Sequence, residues 1–396
     1  MDVLDQLKRT TDRIFSEPEL RKRLSGNKQL RIKYGVDVTA PFLHTGHAVN
    51  LWMMRSLQEL GHRVVFLIGD FTTRIGDPTG KSKTRKIIDP ADIERNAEEF
   101  ISQVGEILLT DTEVFEVRRN TEWYNRMSLG DFFGLLGRVT HGQLVQRDMF
   151  QKRIEAGDPI HMHEFLYPIL QGWDSVELKS DLTIVGSDQL FNEMMGRTYQ
   201  QQEGQDPQVI ITTKITPGLC GKEKQSKSLG NYIALRDTAR DKFGKIMSIP
   251  DALIFQYFEI YTDAPLEIIN AYKQEMQFSA TNPMSIKKDL AWFLVKRYHG
   301  KEVADEEKHW FEETFAAKKT PDNLPLIEVF ANANLLQVLK LCEPEASNGH
   351  LRRLLDQGAV KLDGIKLQGD IMQPWTGSGV LKTGKRKWFQ IEVSNG

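Results

Sequence analysis

The 396-residue chain lacks the features that mark several specialised protein classes. Its two cysteines, Cys220 and Cys342, are too few and too far apart for a disulfide framework or a CxxC metal site. Apolar runs such as Val64 to Ile68 are far short of the roughly 20 residues needed to span a bilayer. The opening segment, MDVLDQLKRTTDR, is charged throughout and has no signal-peptide core. Neither charge sign dominates, since 52 Lys and Arg against 54 Asp and Glu give a formal charge of −2. That excludes binding of nucleic acid by bulk positive charge, though not by a local basic face. There is no internal repeat and no low-complexity segment. The balance of 40% apolar and 27% charged residues leads to the expectation of a soluble, cytoplasmic, globular protein without a membrane segment. Two or three domains are expected at this length.

What is present has α/β texture in the first half. Leu30 to Asp37 reads as a strand. A helical stripe of Val49, Trp52, Met53, Leu57 and Leu60 follows, closed by Gly61. Arg63 to Ile68 is then a β-branched and aromatic run, so strand, helix and strand form a βαβ unit on a parallel sheet. Asp89-Pro90 has the chemistry of a helix start, before a stripe of Ile93, Ala97, Phe100, Ile101, Val104, Ile107 and Leu108. Further strands are predicted at Val114 to Val117, Leu182 to Val185 and Val209 to Ile215. From about Thr238 helical stripes take over, at Ala252 to Tyr261 and Ile286 to Tyr298. Ala317 to Pro325 reads as a linker. A small tail follows, with helices at Leu335 to Leu341 and Ser347 to Gln357 and a hairpin turn at Asp363-Gly364.

Three segments could carry chemistry. Gly76-Asp-Pro-Thr-Gly-Lys-Ser82 nearly spells a P-loop, but it has one residue too few between its glycines. Pro78 also offers no N–H to a phosphate, so a basic surface loop is the better reading. His44-Thr-Gly-His47 lies where the first strand meets its helix, and a helix N-terminus attracts phosphate. Alone, the two histidines read as simple helix caps rather than as a phosphate site. Lys224-Gln-Ser-Lys-Ser228 offers two cations between Gly221 and Gly230, suited to a leaving pyrophosphate, and alone it could be a solvated turn.

Together the last two motifs, with Lys224 lying 177 positions beyond His47, resemble the paired HxGH and KMSKS signature of class I aminoacyl-tRNA synthetases. Tyr167-Pro-Ile-Leu-Gln-Gly-Trp-Asp174 and Gly186-Ser-Asp-Gln189 are similar to the amino-acid-binding segments of the bacterial tyrosyl-tRNA synthetases. Gly76-Asp77-Pro78, Met162 to Tyr167 and Ser228 to Tyr232 fit that family too. Ser347 to Lys366 resembles a small RNA-binding module shared with a ribosomal protein and pseudouridine synthases.

The resemblance implies a Rossmann-like parallel-sheet catalytic domain over residues 1–235 with an inserted connective segment. It further implies an all-α anticodon-recognition domain over 236–320 and a small α+β RNA-binding domain over 335–396. The implied reaction is ATP-dependent activation of L-tyrosine to tyrosyl-adenylate, followed by transfer to the 3′ end of tRNA-Tyr. The alternative is a paralogue that adenylates tyrosine or an analogue for a non-translational pathway. By resemblance Thr39, His44 and His47 hold the triphosphate, and Lys224 and Lys227 stabilise departing pyrophosphate. Asp188 holds the ribose, Gly46 and Gly186 admit adenosine, and Lys227 also counts among the ATP contacts. Asp77, Tyr167 and Gln171 surround the tyrosine ammonium, Asp174 accepts from the phenol, and Gln189 lies near the carboxylate. ATP is expected as a substrate accompanied by Mg2+, with no tightly bound cofactor, no resident metal and a homodimeric assembly.

Several positions depart from the family pattern. Gln225 replaces the methionine of KMSKS, Val38 the proline of DPT, and Val185 the first glycine of GGSDQ. Trp173 stands where a tyrosine is common. Lys33 stands where some members place a second phenol-contacting tyrosine, with Tyr34 adjacent. For RNA, the candidates are the loop Lys81 to Lys86, Arg352 and Arg353, and the cluster Lys382, Lys385, Arg386 and Lys387 beside Trp388 and Phe389. The two aromatics read as core residues of a small domain rather than stacking platforms.

Overall fold

The computed structural model describes residues 3–39, 41–77, 88–215, 217–223, 225, 229–278, 282–316, 324–330, 333–375, 377–384 and 387–394. The chain forms two compact units, Met1–Tyr298 and His299–Gly396.

The first unit is built on six strands: β1 (Thr11–Phe15), β2 (Arg31–Val36), β3 (Arg63–Ile68), β4 (Phe115–Arg119), β5 (Leu182–Gly186) and β6 (Val209–Thr213). Their order is β1-β6-β5-β2-β3-β4. β1 runs antiparallel to β6, and every other neighbouring pair is parallel. The chain therefore winds from β2 out to β4, then returns to lay β5 on the other side of β2. That reversal opens a crevice at the carboxyl ends of β2 and β5, where doubly wound sheets place their ligands. The expected parallel α/β sheet is present, with one addition. β1, with two exposed and three half-buried positions, carries too little apolar signal to be read as a strand.

Helices cover both faces, which is why β3 is buried from Val64 through Ile68. On one face α1 (Thr45–Gln58) and α2 (Pro90–Val104) pack Leu51, Met54, Ile93 and Phe100 against Tyr34, Phe66 and Ile184. Asp89 caps α2 as expected, its carboxylate accepting from the Ala91 N–H at 2.8 Å. Leu60 departs from the expected stripe: α1 ends at Gln58, and Leu60 is 56% exposed. On the other face α3 (Met162–Glu177) and α4 (Leu190–Gln202) cross closely through glycines. A Cβ on Gly172 would sit 2.9 Å from that of Met195, and one on Gly196 2.5 Å from Ser175 Oγ.

After the sheet come four more helices, α5 (Ala239–Met247), α6 (Ile254–Tyr261), α7 (Leu266–Phe278) and α8 (Pro283–His299). Arg9 ties the N-terminal segment to the end of α6, donating to the carbonyls of Phe258, Glu259 and Ala264 at 2.7–2.8 Å. The Arg297 guanidinium lies 4.6 Å from the Trp52 ring centroid, pinning α8 to α1.

The second unit begins with α9 (Lys301–Phe311). A five-stranded sheet follows, formed by β7 (Leu326–Phe330), β8 (Val360–Leu362), β9 (Ile365–Lys366), β10 (Gly379–Thr383) and β11 (Lys387–Ser394), in the order β7-β11-β10-β8-β9. α10 (Leu335–Cys342) and α11 (Asn348–Asp356) supply Val338, Leu339, Leu351 and Leu355 to its core, with Leu381 and Ile391 from the sheet. Asp363 and Gly364 both take positive φ, +49° and +83°, as a two-residue hairpin of the expected kind requires. Phe389 packs against this core, and the Lys382 ammonium lies 4.3 Å from the Trp388 ring centroid.

Candidate active site

The crevice at the β2/β5 switch point holds a cavity of about 620 Å3. Short-range chemistry divides it into two ends.

At the first end α1 begins with His44 as its N-cap. The Gly46 N–H donates to His44 Nδ1 at 3.1 Å, and the His44 N–H donates to His47 Nδ1 at 3.2 Å. Both histidines thus cap the helix, and this also fixes their chemistry. A neutral imidazole that accepts at Nδ1 must carry its proton on Nε2, so each ring is a donor at its other nitrogen. Gly46 and Gly186 leave room where side chains cannot fit. Their Cβ atoms would lie 2.9 Å from the His44 ring and 2.7 Å from Asp188 Oδ1 respectively. Thr39 and Asp188 also line the cavity.

At the other end Asp174 is buried on α3. Its Oδ1 accepts from Trp123 Nε1 at 3.0 Å and from the Tyr124 hydroxyl at 2.9 Å. The carboxylate therefore retains acceptor capacity for a ligand. Burial pushes Asp174 up to about 7, opposed by the positive charge of Lys33 and by the Tyr124 hydrogen bond. Lys33 is itself buried and pairs with Glu193 at 2.8 Å, while donating to Ser175 Oγ at 2.7 Å. The strand's two-residue period accounts for this placement. Lys33 lies opposite Val65 and Thr183 on the α3 face, whereas Tyr34 lies opposite Phe66 and stacks on it at 6.1 Å, on the other face. Tyr34 cannot take the place of Lys33.

A chain of amides links the ends. Gln171 Nε2 donates to Glu193 at 2.9 Å, Asn192 donates to Gln171 at 2.7 Å and Gln189 at 3.1 Å, and Gln189 Nε2 donates to Asp77 at 2.9 Å. The Tyr167 hydroxyl donates to Asp37 at 3.1 Å, and burial together with Asp37 raises it well above the ordinary phenol range. Asp37 and Asp77, the partners of Tyr167 and Gln189, give this part of the cavity the negative charge that suits an ammonium.

The structure thus gathers Thr39, His44, Gly46, His47, Asp77, Tyr167, Gln171, Asp174, Gly186, Asp188 and Gln189 around one cavity. Lys224 and Lys227 lie outside the described residues, as do Lys385, Arg386 and the loop Lys81 to Lys86. Arg352 and Arg353 are exposed on α11 in the second unit. Gln225, between the two lysines, is described. It accepts from Thr45 Oγ1 at 3.2 Å and donates to the Tyr261 hydroxyl at 2.7 Å. The Val38 N–H donates to Thr73 Oγ1 at 3.0 Å, a bond that proline could not make. Val185 lines the cavity, whereas the Trp173 indole N–H donates to Glu177 at 3.0 Å. Sequence reasoning missed Asp37, Glu193, Asn192, Trp123, Tyr124 and Tyr261, of which Asp37 alone belongs to a motif named above, as the first residue of the DPT-like Asp37-Val38-Thr39. Asp37 alone carried a signal, as a carboxylate at the end of the first strand. Among the described residues no group of three or more His, Cys, Asp or Glu is placed to hold a metal ion, and no helix is long and apolar enough to cross a membrane.

A doubly wound sheet, a histidine-capped helix at its switch point and a buried carboxylate across the cavity define an α/β nucleotide-site protein. The family described as tRNA synthetases class I (W and Y) matches residues 25–316, and the chain belongs to it. Among curated relatives, the tyrosine–tRNA ligase of Thermotoga maritima is 41% identical over 388 residues, covering 97% of this chain and 96% of the relative. That of Geobacter metallireducens is 43% identical over 402 residues, covering 99% of each. Among solved structures, a C-terminally truncated mitochondrial tyrosyl-tRNA synthetase of Aspergillus nidulans superposes with a TM-score of 0.63 at 23% identity, over 79% of this chain and 93% of that one. The tyrosyl-tRNA synthetase of Archaeoglobus fulgidus, complexed with L-tyrosine, gives 0.59 at 19% identity, over 78% of this chain and 100% of that one. These two structures show a shared fold.

Proposed function

We propose that the chain is a tyrosine–tRNA ligase, activating L-tyrosine with ATP and transferring it to the 3′ end of tRNA-Tyr. The observation that carries this reading is Asp174, a buried acceptor at one end of a cavity whose other end is the donor-rich start of α1. Tyrosine fits with its phenol donating to Asp174 and its ammonium among Asp77, Tyr167 and Gln171. Gln189 would stand near the carboxylate. Phenylalanine would leave the buried carboxylate without its partner, which costs free energy. In the first step a tyrosine carboxylate oxygen forms a bond to the α-phosphorus as the bond to pyrophosphate breaks. The chain's task is to align the two and to stabilise the charge that develops on the leaving group. His44 and His47, with protons on Nε2, would donate to phosphate oxygens beside Thr39, and Lys224 and Lys227 would neutralise the departing pyrophosphate. Asp188 would hold the ribose against the open backbone at Gly46 and Gly186. Mg2+ would arrive with ATP as part of the substrate.

For tRNA, residues 236–320 would read the anticodon region and residues 335–396 would add RNA contacts through Arg352, Arg353, Lys385 and Arg386. The tail from Leu335 has nine Lys and Arg against six Asp and Glu, a net of +3 that suits phosphate contacts. We place the enzyme in the cytoplasm as a homodimer. Charging of tRNA-Tyr with radiolabelled tyrosine tests the proposal. Tyrosine-dependent adenylate formation without charging would favour the paralogue that serves another pathway.

A further inference from the structure

We propose that Lys33 is a positioning residue for amino-acid selection, acting through Asp174 to make that buried carboxyl an acceptor for the substrate phenol. The inference rests on the tyrosine reading above. Its starting point is a cluster of groups drawn from separate elements. Lys33 comes from β2, Asp174 and Ser175 from α3, and Glu193 from α4, and all four are buried. The Lys33 ammonium donates to Ser175 Oγ at 2.7 Å and meets Glu193 at 2.8 Å, so it is held beside the residue that follows Asp174. Glu193 is shared with other donors, Gln171 Nε2 at 2.9 Å and Gln208 Nε2 at 2.8 Å. Two neutral amides therefore share that carboxylate with the lysine.

Trp123 and Tyr124, from the segment after β4, donate to Asp174, and Lys33 from β2, Tyr167 from its own helix and Glu193 from α4 line the same cavity. Lys33 is the one cation among them. A carboxyl so enclosed is driven toward its neutral form, and a neutral acid offers a hydrogen where the phenol needs an acceptor. The lysine opposes that drift, and burial still leaves Asp174 near 7 with the lysine in place. Lysine at this point of a strand therefore serves the site electrostatically.

The test is tyrosine-dependent ATP–pyrophosphate exchange between pH 5.5 and 9 for the full chain, K33M, K33R and K33M/E193Q, with phenylalanine as the comparison substrate. In the unaltered protein kcat/KM for tyrosine should fall on the acid side of about pH 7, mainly through KM. K33M should move that limb upward by about one pH unit, which lowers kcat/KM below the limb about tenfold, and K33M/E193Q should move it in the same direction by less, because the negative charge of Glu193 is lost as well. Phenylalanine, which gains nothing from an ionised Asp174, should show no such loss on the acid side, and K33R should restore the original limb. The double variant removes both buried charges, so it remains informative if K33M alone does not fold. A limb that stays in place in K33M/E193Q overturns the inference, as does an equal shift with phenylalanine. Absence of tyrosine-dependent exchange in the unaltered protein would sink the functional reading itself, which is a distinguishable result.

Discussion

Asp174→Asn keeps the shape of the side chain and removes its charge. In the folded protein the Asp174 carboxylate accepts from Trp123 and Tyr124 and has capacity for one more donor. A hydrogen bond to a charged group contributes roughly 1.5–3 kcal/mol. Losing it for a phenol should lower kcat/KM for tyrosine about 10- to 150-fold. Phenylalanine has no such bond to lose, so the tyrosine-to-phenylalanine ratio should fall by nearly the same factor in pyrophosphate exchange. Stability should change in the opposite sense. The carboxyl ionises near 4 when unfolded and about 7 when folded, so the folded state holds the proton more tightly. Its ionisation therefore destabilises the folded protein increasingly as pH rises from about 4 to about 7, and by a constant amount above that. Three pH units correspond to the order of 4 kcal/mol. Relative to the unaltered protein, Asp174→Asn should gain stability between pH 5 and pH 8 in urea unfolding. An unchanged tyrosine-to-phenylalanine ratio would refute the assigned role, and a relative stability independent of pH would refute the burial argument.

His47→Ala removes one donor to the phosphates and should slow exchange about 10- to 150-fold with little change in tyrosine KM. Equal losses in both would contradict the placement. Gly196→Ala would push a Cβ to within 2.5 Å of Ser175 Oγ and should destabilise the first unit by about 1–3 kcal/mol in urea unfolding. Arg9→Ala strips three carbonyls at the end of α6 of their donor and should cost about 2 kcal/mol, read as a lower unfolding midpoint. Deletion of residues 335–396 should leave tyrosine-dependent exchange intact while weakening the charging of tRNA-Tyr.

The centre of the sheet was legible because buried parallel strands are written as unbroken apolar runs, as in β3, and because α2 carries its stripe at helical spacing. β1 was not, since an edge strand that buries little has no such run. Short helices at Thr121–Tyr124 and Leu129–Leu136 also escaped notice, although the first supplies Trp123 and Tyr124 to the site. Site residues in contiguous motifs at strand ends, such as His44, Gly46 and Asp188, could be named from sequence. Lys33 could be seen only as a departure. Its strand period gives the face it occupies, but Glu193 lies 160 positions away and only the close crossing of α3 and α4 at Gly172 and Gly196 brings it near. Both helix-capping and phosphate-donating readings of the histidines were open from sequence. The geometry makes them compatible, because capping through Nδ1 leaves the proton on Nε2.

The central claim is that this cavity activates tyrosine. Amino-acid-dependent ATP–pyrophosphate exchange, measured side by side with tyrosine, phenylalanine and ring-hydroxylated tyrosines, tests it most directly. Exchange with tyrosine at a kcat/KM at least about tenfold above phenylalanine is expected from the buried Asp174 acceptor. No exchange with tyrosine, or a preference for phenylalanine, would contradict it.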